Sequence, residues 1–211
     1  MEIRLIDEIP STHNFLTNAV RNGDITTPLA IYAKKQTAGV GSRGNDWIGQ
    51  EGNLFLTFCI EFESLPKDLP SASTSIYFST LMLEILKTHG SLAWLKWPND
   101  FYVGDKKIGG LITTKINDFM VVSIGVNLIQ TSNKFCVLDI NITATDLVNE
   151  FIPSLKNFPS WKHIFSKYKL EFHLSQNFFA HVDGKKVHLS KALLCDDGSI
   201  EIEKKKVYSL R

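Results

Sequence analysis

The chain has 211 residues, 44% of them hydrophobic, and its 23 basic and 22 acidic side chains leave a net charge of +1. This composition fits one globular domain with a sizeable core and room for a small appendage. The balanced charge excludes the global field that draws a chain to nucleic acid or to an anionic membrane.

Ile3 to Ile6 reads as a short strand. Ser11 or Thr12 then caps a helix whose Phe15, Leu16, Ala19 and Val20 share one face, and Gly23 stops it. Leu29 to Lys34 alternates like a strand. From Lys35 to Trp47 there is no apolar period, only Gly39, Gly41, Gly44 and a single arginine, Arg43, so a loop is expected. Glycine-rich loops suit anions because backbone N–H groups converge without side chains between them. The Gly-x-Gly-x-x-Gly spacing lacks the context of a dinucleotide fold, because Trp47 and the polar stretch from Gly49 to Gly52 lead to a strand and not to a helix. A lid over an anionic ligand and a plain surface loop both fit.

Asn53 to Phe62 alternates as a strand. Ser71 or Ser73 opens a helix with Ile76, Leu81, Met82, Ile85 and Leu86 as its core stripe and Gly90 beyond its end. The apolar run Leu92 to Leu95 reads as a buried strand that Pro98, lacking an N–H, must end or turn. That leaves Asn99 and Asp100 presented at a strand edge. Phe101 to Val103 turns at Gly104-Asp105 and returns as Lys107 to Thr114. Gly109 and Gly110 on the return strand mark either a bulge or the close approach of a backbone or ligand. A carboxylate, an amide, lysines and a surface without side chains thus meet on one hairpin, which makes it a candidate site.

A turn at Asn117-Asp118 leads to the strand Phe119 to Ile129. It is interrupted at Gly125-Val126-Asn127 by a bulge or by a ligand that the Asn127 amide would meet. Thr143 to Glu150 and Trp161 to Phe172 read as helices. From about Asn177, short strands with turns at Asp183-Gly184 and Asp197-Gly198 form a β module too small for a core of its own, expected to pack on the main domain. The expected division is 1–175 and 176–211. Cys59, Cys136 and Cys195 are far apart and odd in number, and read as reduced core residues. The histidines lack metal-ligand spacing, so no metal site is assigned. A charged N-terminus and the lack of an apolar run of bilayer length point to a cytoplasmic protein.

Several segments together resemble the biotin–protein ligases. They are Gln36-Thr37-Ala38-Gly39-x-Gly41-x-Arg43-Gly44-x-x-Trp47, Lys96-Trp97-Pro98-Asn99-Asp100 and Lys107-x-x-Gly110, with the Ser11-Thr12 helix start and Gly125-Val126-Asn127. The C-terminal strands, ending Val207-Tyr208-Ser209-Leu210-Arg211, resemble that family's SH3-like tail. The resemblance implies an α+β fold: a mixed, largely antiparallel sheet with flanking helices, of the class II aminoacyl-tRNA synthetase and biotin ligase kind, plus a small SH3-like module. No room precedes Ile3 for the DNA-binding segment of some relatives, so a ligase that is not a repressor is expected.

The resemblance also implies a reaction: the biotin carboxylate attacks the α-phosphate of ATP, and an acceptor lysine then takes the biotin from biotinyl-5′-AMP as an amide. Lys107, Asp100 and Arg43 would carry the chemistry. Ser11, Thr12, Gln36, Gly39, Lys107, Gly109 and Gly110 would bind biotin. Gly41, Ser42, Arg43, Trp47, Lys96, Asn99 and Asn127 would bind ATP or the adenylate. ATP, biotin and Mg²⁺ are the implied small molecules, and a biotin carboxyl carrier domain is the implied partner, with no DNA or membrane. Exposed sheet edges could pair with a second copy or with the acceptor. Many members carry arginines where Val40 and Ser42 stand here, and Asn where His13 stands. A silent biotin- or acceptor-binding module and a lipoate or octanoate transferase are the competing expectations.

Overall fold

A computed structural model describes residues 1–41, 46–129, 136–182 and 184–208, without the side chains of Asp46 and Ile48. The first half alternates strand and helix: β1 (Glu2–Ile9), α1 (Thr12–Asn22), β2 (Leu29–Val40), β3 (Asp46–Gly49), β4 (Leu54–Glu61) and α2 (Thr74–Thr88). Then come β5 (Trp94–Lys96), β6 (Asp100–Val103), β7 (Lys106–Ile116), β8 (Phe119–Val126), α3 (Ala144–Ser154) and α4 (Trp161–Ser175). Strands β1 to β8 make one sheet in the order β1-β2-β4-β8-β7-β6-β5, with β3 on β2. β1 runs parallel to β2, and the other pairings are antiparallel. The fold is therefore the expected α+β arrangement with a mixed sheet.

Both faces of the sheet are covered, which is why its central strands β4 and β8 are mostly apolar on both sides. On one face α1 buries Leu16 and Val20 against Leu29, Ile31, Cys59 and Val121. On the other, α2, α3 and α4 enclose the larger core around Phe58, Phe78, Phe151 and Ile164. Ser11, not Thr12, caps α1: its backbone is extended, its side chain accepts from the Asn14 N–H, and Gly23 closes the helix at φ 81°. A 3-10 turn, Ser71–Ser73, precedes α2. There Ser73 makes no capping bond and its hydroxyl donates to the Asp197 carbonyl. The expected stripe on α2 is too narrow. Ser75, Tyr77, Phe78, Ser79 and Thr80 are also buried, because α2 lies between the sheet and helices α3 and α4.

The segment expected to be a loop from Lys35 to Trp47 is largely a hairpin. β2 continues through Val40, and Gly39 and Val40 pair with Trp47 and Asp46 of β3 across a bulge. Its glycines serve close approach rather than freedom of the chain. A β-carbon at Gly39 would lie 2.6 Å from the Trp47 carbonyl, and one at Gly49 would lie 2.3 Å from the Gln36 carbonyl. The lid expectation falls on residues 42–45, which lie outside the described residues.

After α4, β9 (Phe179–Val182) pairs with β10 (Lys185–His188), and β11 (Leu193–Leu194), β12 (Ile200–Ile202) and β13 (Lys205–Val207) form a three-stranded sheet. Ala180, Leu189, Ala192 and Ile200 join the main core. The Trp97 and Trp161 indoles donate to the Gly198 and Asp196 carbonyls, each at 3.0 Å. With the Ser73–Asp197 bond, they tie the segment between β11 and β12 to the ends of β5, α2 and α4. Among the described residues no helix is long and apolar enough to cross a membrane.

Candidate active site

The sheet register builds the site before any side chain is considered. Asp100 on β6 stands opposite Gly110 on β7, Gly110 opposite Gly125 on β8, and Gly125 opposite Phe55 on β4. Two residues along, Ile112, Ser123 and Thr57 form a second cross-strand row. Residues two apart on a strand share a face, so the rows run side by side beneath the start of α1. Glycines in the first row leave a trough where side chains would otherwise fill the space. The trough is a cavity of about 220 Å³.

Of the residues expected at a site, Thr12, Gln36, Gly41, Trp47, Asn99, Asp100, Lys107 and Gly110 line this cavity. Lys107 Nζ donates to Asp100 Oδ1 at 2.6 Å, and Lys96 Nζ reaches Oδ2 at 3.3 Å. The carboxylate is 16% exposed and Lys96 12%, whereas Lys107 is 40% exposed. Burial pushes the Asp100 carboxyl up, but the charges and hydrogen bonds of Lys107 and Lys96 outweigh it and hold the group below its ordinary value. Asp100 in turn adds to the burial that raises the Tyr102 hydroxyl to about 12. The cluster is an ionised carboxylate under two ammonium groups, one of them facing the opening, and it is suited to a ligand anion.

Trp47 stands over Gly125, where a β-carbon would come within 3.1 Å of the indole. The indole Nε1 is buried with no hydrogen-bond partner among the described residues, so a donor is held at the cavity wall. At the α1 side lies a chain of polar groups. Gln36 Oε1 accepts from the Thr12 N–H at 2.8 Å and from the Thr12 hydroxyl at 2.9 Å. Thr57 Oγ1 lies 2.9 Å from Thr12 Oγ1 and 2.9 Å from Ser123 Oγ. Ser123 Oγ is 2.9 Å from His13 Nδ1.

Other expected residues lie outside the lining. The Ser11 hydroxyl caps α1, and Gly39 makes room for the β3 hairpin and the Gln36 amide. At Gly109 a β-carbon would stand 2.5 Å from the Gly125 carbonyl, so this glycine serves the contact of β7 with β8; a bulge facing Phe101 and Tyr102 adjoins it. Asn127 donates its N–H to the Ile108 carbonyl and its amide to the Cys136 carbonyl at 3.2 Å. Asn99 belongs to the lining, but it is buried and the amide expected to be presented donates to the Leu111 carbonyl. Its carbonyl also accepts the Leu111 N–H at 3.2 Å, so Asn99 is tied to β7 beside the Asp100–Gly110 pair. Ser42 and Arg43 lie outside the described residues. Ser123, Thr57 and Ile112 escaped sequence reading. Their signal was present as hydroxyls at mid-strand in the apolar runs of β4 and β8, but only the register shows that they meet.

The profile of the biotin/lipoate A/B protein ligase family matches residues 5–128. The bifunctional ligase/repressor BirA of Escherichia coli is 30% identical over 133 residues, which are 60% of this chain and 40% of that protein. The match thus spans less than half the length of this curated relative. A biotin acetyl coenzyme A carboxylase synthetase from Helicobacter pylori, solved with bound biotinylated ATP, is 39% identical with a TM-score of 0.93, covering 98% of this chain and 99% of that one. The biotin protein ligase of Aquifex aeolicus, solved with biotin and ATP, shares the fold at a TM-score of 0.76 and 20% identity, over 100% of this chain and 96% of that one. With the profile covering more than half of its length, this chain belongs to the biotin/lipoate A/B protein ligase family.

Proposed function

We propose that this protein is an ATP-dependent biotin–protein ligase, which converts biotin to biotinyl-5′-AMP and transfers it to a lysine of a biotin carboxyl carrier domain. The observation that carries this reading is the pairing, in one cavity, of Lys107 braced on Asp100 with the polar chain from Gln36 to His13. The first suits an anion and the second a neutral polar ring. Biotin has a carboxylate and a ureido ring, and so has a counterpart for each.

In the first step a biotin carboxylate oxygen attacks the α-phosphorus of ATP, and the bond to the pyrophosphate leaving group breaks. Two anions must approach, so the Lys107 ammonium at the opening supplies the neutralising charge, held in place by Asp100, whose other oxygen is engaged by Lys96. In the second step the acceptor amine attacks the acyl carbon. The carbon–nitrogen bond forms, the bond to the phosphate oxygen breaks, AMP leaves and the amine gives up a proton. Trp47 over the trough, with Gly41 in the lining, would shield the anhydride from water, and Ser42 and Arg43 would contribute to binding the adenylate. Ser11, Gly39, Gly109 and Asn127 would act through the backbone they shape, and Asn99 by anchoring β7. Mg²⁺ would arrive on the triphosphate: both Asp100 oxygens are engaged by lysines, and the described residues offer no cluster of three metal-ligating groups. In this reading residues 176–211 are an appendage to the catalytic unit 1–175, and the protein works in the cytoplasm.

The test is biotin-dependent ATP–pyrophosphate exchange in the wild type and in Lys107→Ala. Exchange that falls by about 100-fold or more in the variant supports the reading. Exchange with lipoate or octanoate but not biotin would replace it with a lipoate-type activity. Biotin binding without exchange would replace it with a binding module.

A further inference from the structure

Pairing on the site hairpin puts four side chains on one face of the sheet. Trp94 and Lys96 of β5 stand opposite Tyr102 and Asp100 of β6, and residues two apart on a strand share a face. On the other side of β6, unbroken pairing from Asp100–Gly110 would set Ile108 against Tyr102 and turn Lys107 to the far face. The register shift between Phe101 and Tyr102 sets Lys107 against Tyr102 instead. Tyr102 therefore stands between the strand that carries Lys96 and the strand that carries Lys107.

The two lysines do not hold Asp100 alike. Lys107 approaches Oδ1 at 2.6 Å and is 40% exposed, at the opening where substrate anions arrive. Lys96 is 12% exposed and lies 3.3 Å from Oδ2. That is longer than the roughly 2.7–2.9 Å of a close ammonium–carboxylate bond, so the carboxylate by itself holds this long, rotatable side chain loosely. The Lys96 ammonium also lies over the Tyr102 ring, 5.6 Å from its centroid, within range of the attraction between a cation and a ring face. Burial and the charge of Asp100 push the Tyr102 hydroxyl up to about 12, so the ring stays neutral. The ring is itself wedged. It meets Trp94 at 5.3 Å between centroids and Phe178 edge-on at 5.1 Å, and Phe178 meets Trp94 at 5.4 Å. Phe178 lies beyond α4, where its carbonyl accepts the N–H of the buried Leu189.

We propose that Tyr102 is a positioning residue of this site: its ring, braced by Phe178, keeps the Lys96 ammonium on Asp100 while Lys107 turns to the substrate. Lys96 is then the standing counter-charge of Asp100, and Lys107 the working one. Residues after α4 reach the chemistry through Phe178, although none of the described ones lines the cavity. This deepens the proposed function and rests on it for the kinetic test below, but not for the spectroscopic one.

The spectroscopic readout needs no ligand. In carbon-13 NMR of lysine-labelled protein, the Lys96 ε-methylene, identified by its absence from Lys96→Met, should lie upfield under the Tyr102 ring current. Tyr102→Phe keeps the ring and should keep that shift. Tyr102→Leu should return the signal to the position of an exposed lysine. The same shift in the wild type and in Tyr102→Leu would overturn the inference.

The kinetic readout is biotin-dependent pyrophosphate exchange, measured as a double-mutant cycle. Tyr102→Leu should lose about fivefold or more, the scale of a cation–ring contact in a partly dry site, and Tyr102→Phe should stay within about twofold of the wild type. In a Lys96→Met background Tyr102→Leu should lose nothing further, because its effect runs through Lys96. Equal losses in both backgrounds would mean that Tyr102 serves only the fold, and the proposal would be overturned. Phe178→Leu should lose about twofold or more, and wild-type exchange there would overturn the link to the C-terminal segment. Failure of the wild type to exchange with biotin sinks the proposed function alone, and the NMR comparison then still decides whether Tyr102 holds Lys96.

Discussion

Asp100 and Gly110 face each other across β6 and β7, and a β-carbon on Gly110 would stand 3.3 Å from Asp100 Oδ1 and 3.5 Å from Lys107 Nζ. The glycine is the space that lets the carboxylate and the lysine meet over the strand. A methyl group there presses both on the oxygen that Lys107 holds and on the ammonium end of that lysine. Gly110→Ala is therefore expected to fold normally but to lose about tenfold or more in pyrophosphate exchange, since small misplacements of reacting groups are costly. Circular dichroism and the exchange assay on one preparation would check it. Unchanged exchange would mean that the Lys107–Asp100 contact is incidental.

The Asp100 carboxyl gives the protein a signed dependence on acid. Burial raises its pKa, and Lys107 and Lys96 together bring it below the ordinary carboxylate value. A group whose folded pKa is depressed contributes stability that is fully present above its unfolded value, about 3.9, and is lost as pH falls through the folded one. Asp100→Asn should remove this contribution. Its unfolding free energy should differ from the wild type at pH 7 by about 1–3 kcal/mol, and the difference should shrink as pH falls below 4. Urea melts of both proteins across that range measure it, and a constant difference would place the acid dependence elsewhere.

Ser11 accepts the Asn14 N–H at 3.3 Å as the cap of α1. Its replacement by alanine should cost about 1 kcal/mol of stability. Ser11→Asp keeps an acceptor at the helix start and should restore that loss. Denaturant midpoints separate this structural role from any contact with ligand, because the Asp variant would recover stability whatever happens to biotin affinity.

Gly198 reports on how the C-terminal strands are held. It adopts φ 78°, and a β-carbon there would lie 2.7 Å from Ser73 Oγ and 2.9 Å from Ile76 Cδ1. Gly198→Ala combines a strained backbone with a clash into α2, and is expected to lower stability by more than about 1 kcal/mol. If the melting temperature is unchanged, the three-stranded sheet does not dock where Trp97 and Trp161 reach it.

Much of this protein is legible in one dimension because its signals are local. The strand periods, the Ser11 start and Gly23 stop of α1, and the hairpin that carries Lys96, Asp100, Lys107 and Gly110 all follow from residues within a turn or two of each other. The hairpin brings its own acid and bases together, so half of the site could be named without a fold. Thr57, Ser123 and His13 could not. They are 66 and 110 residues apart across two contacts, and their meeting depends on the register of β4 against β8 and on where α1 crosses the sheet. The same holds for Gly39 and Gly125, which look like loop or bulge glycines until Trp47 is seen to need the space beside them. It holds for α2 as well, whose wide buried face comes from having the sheet on one side and helices on the other. Local chemistry determines the elements and their ends. Register and packing, which sum weak preferences over the whole sheet, decide which polar groups share a cavity.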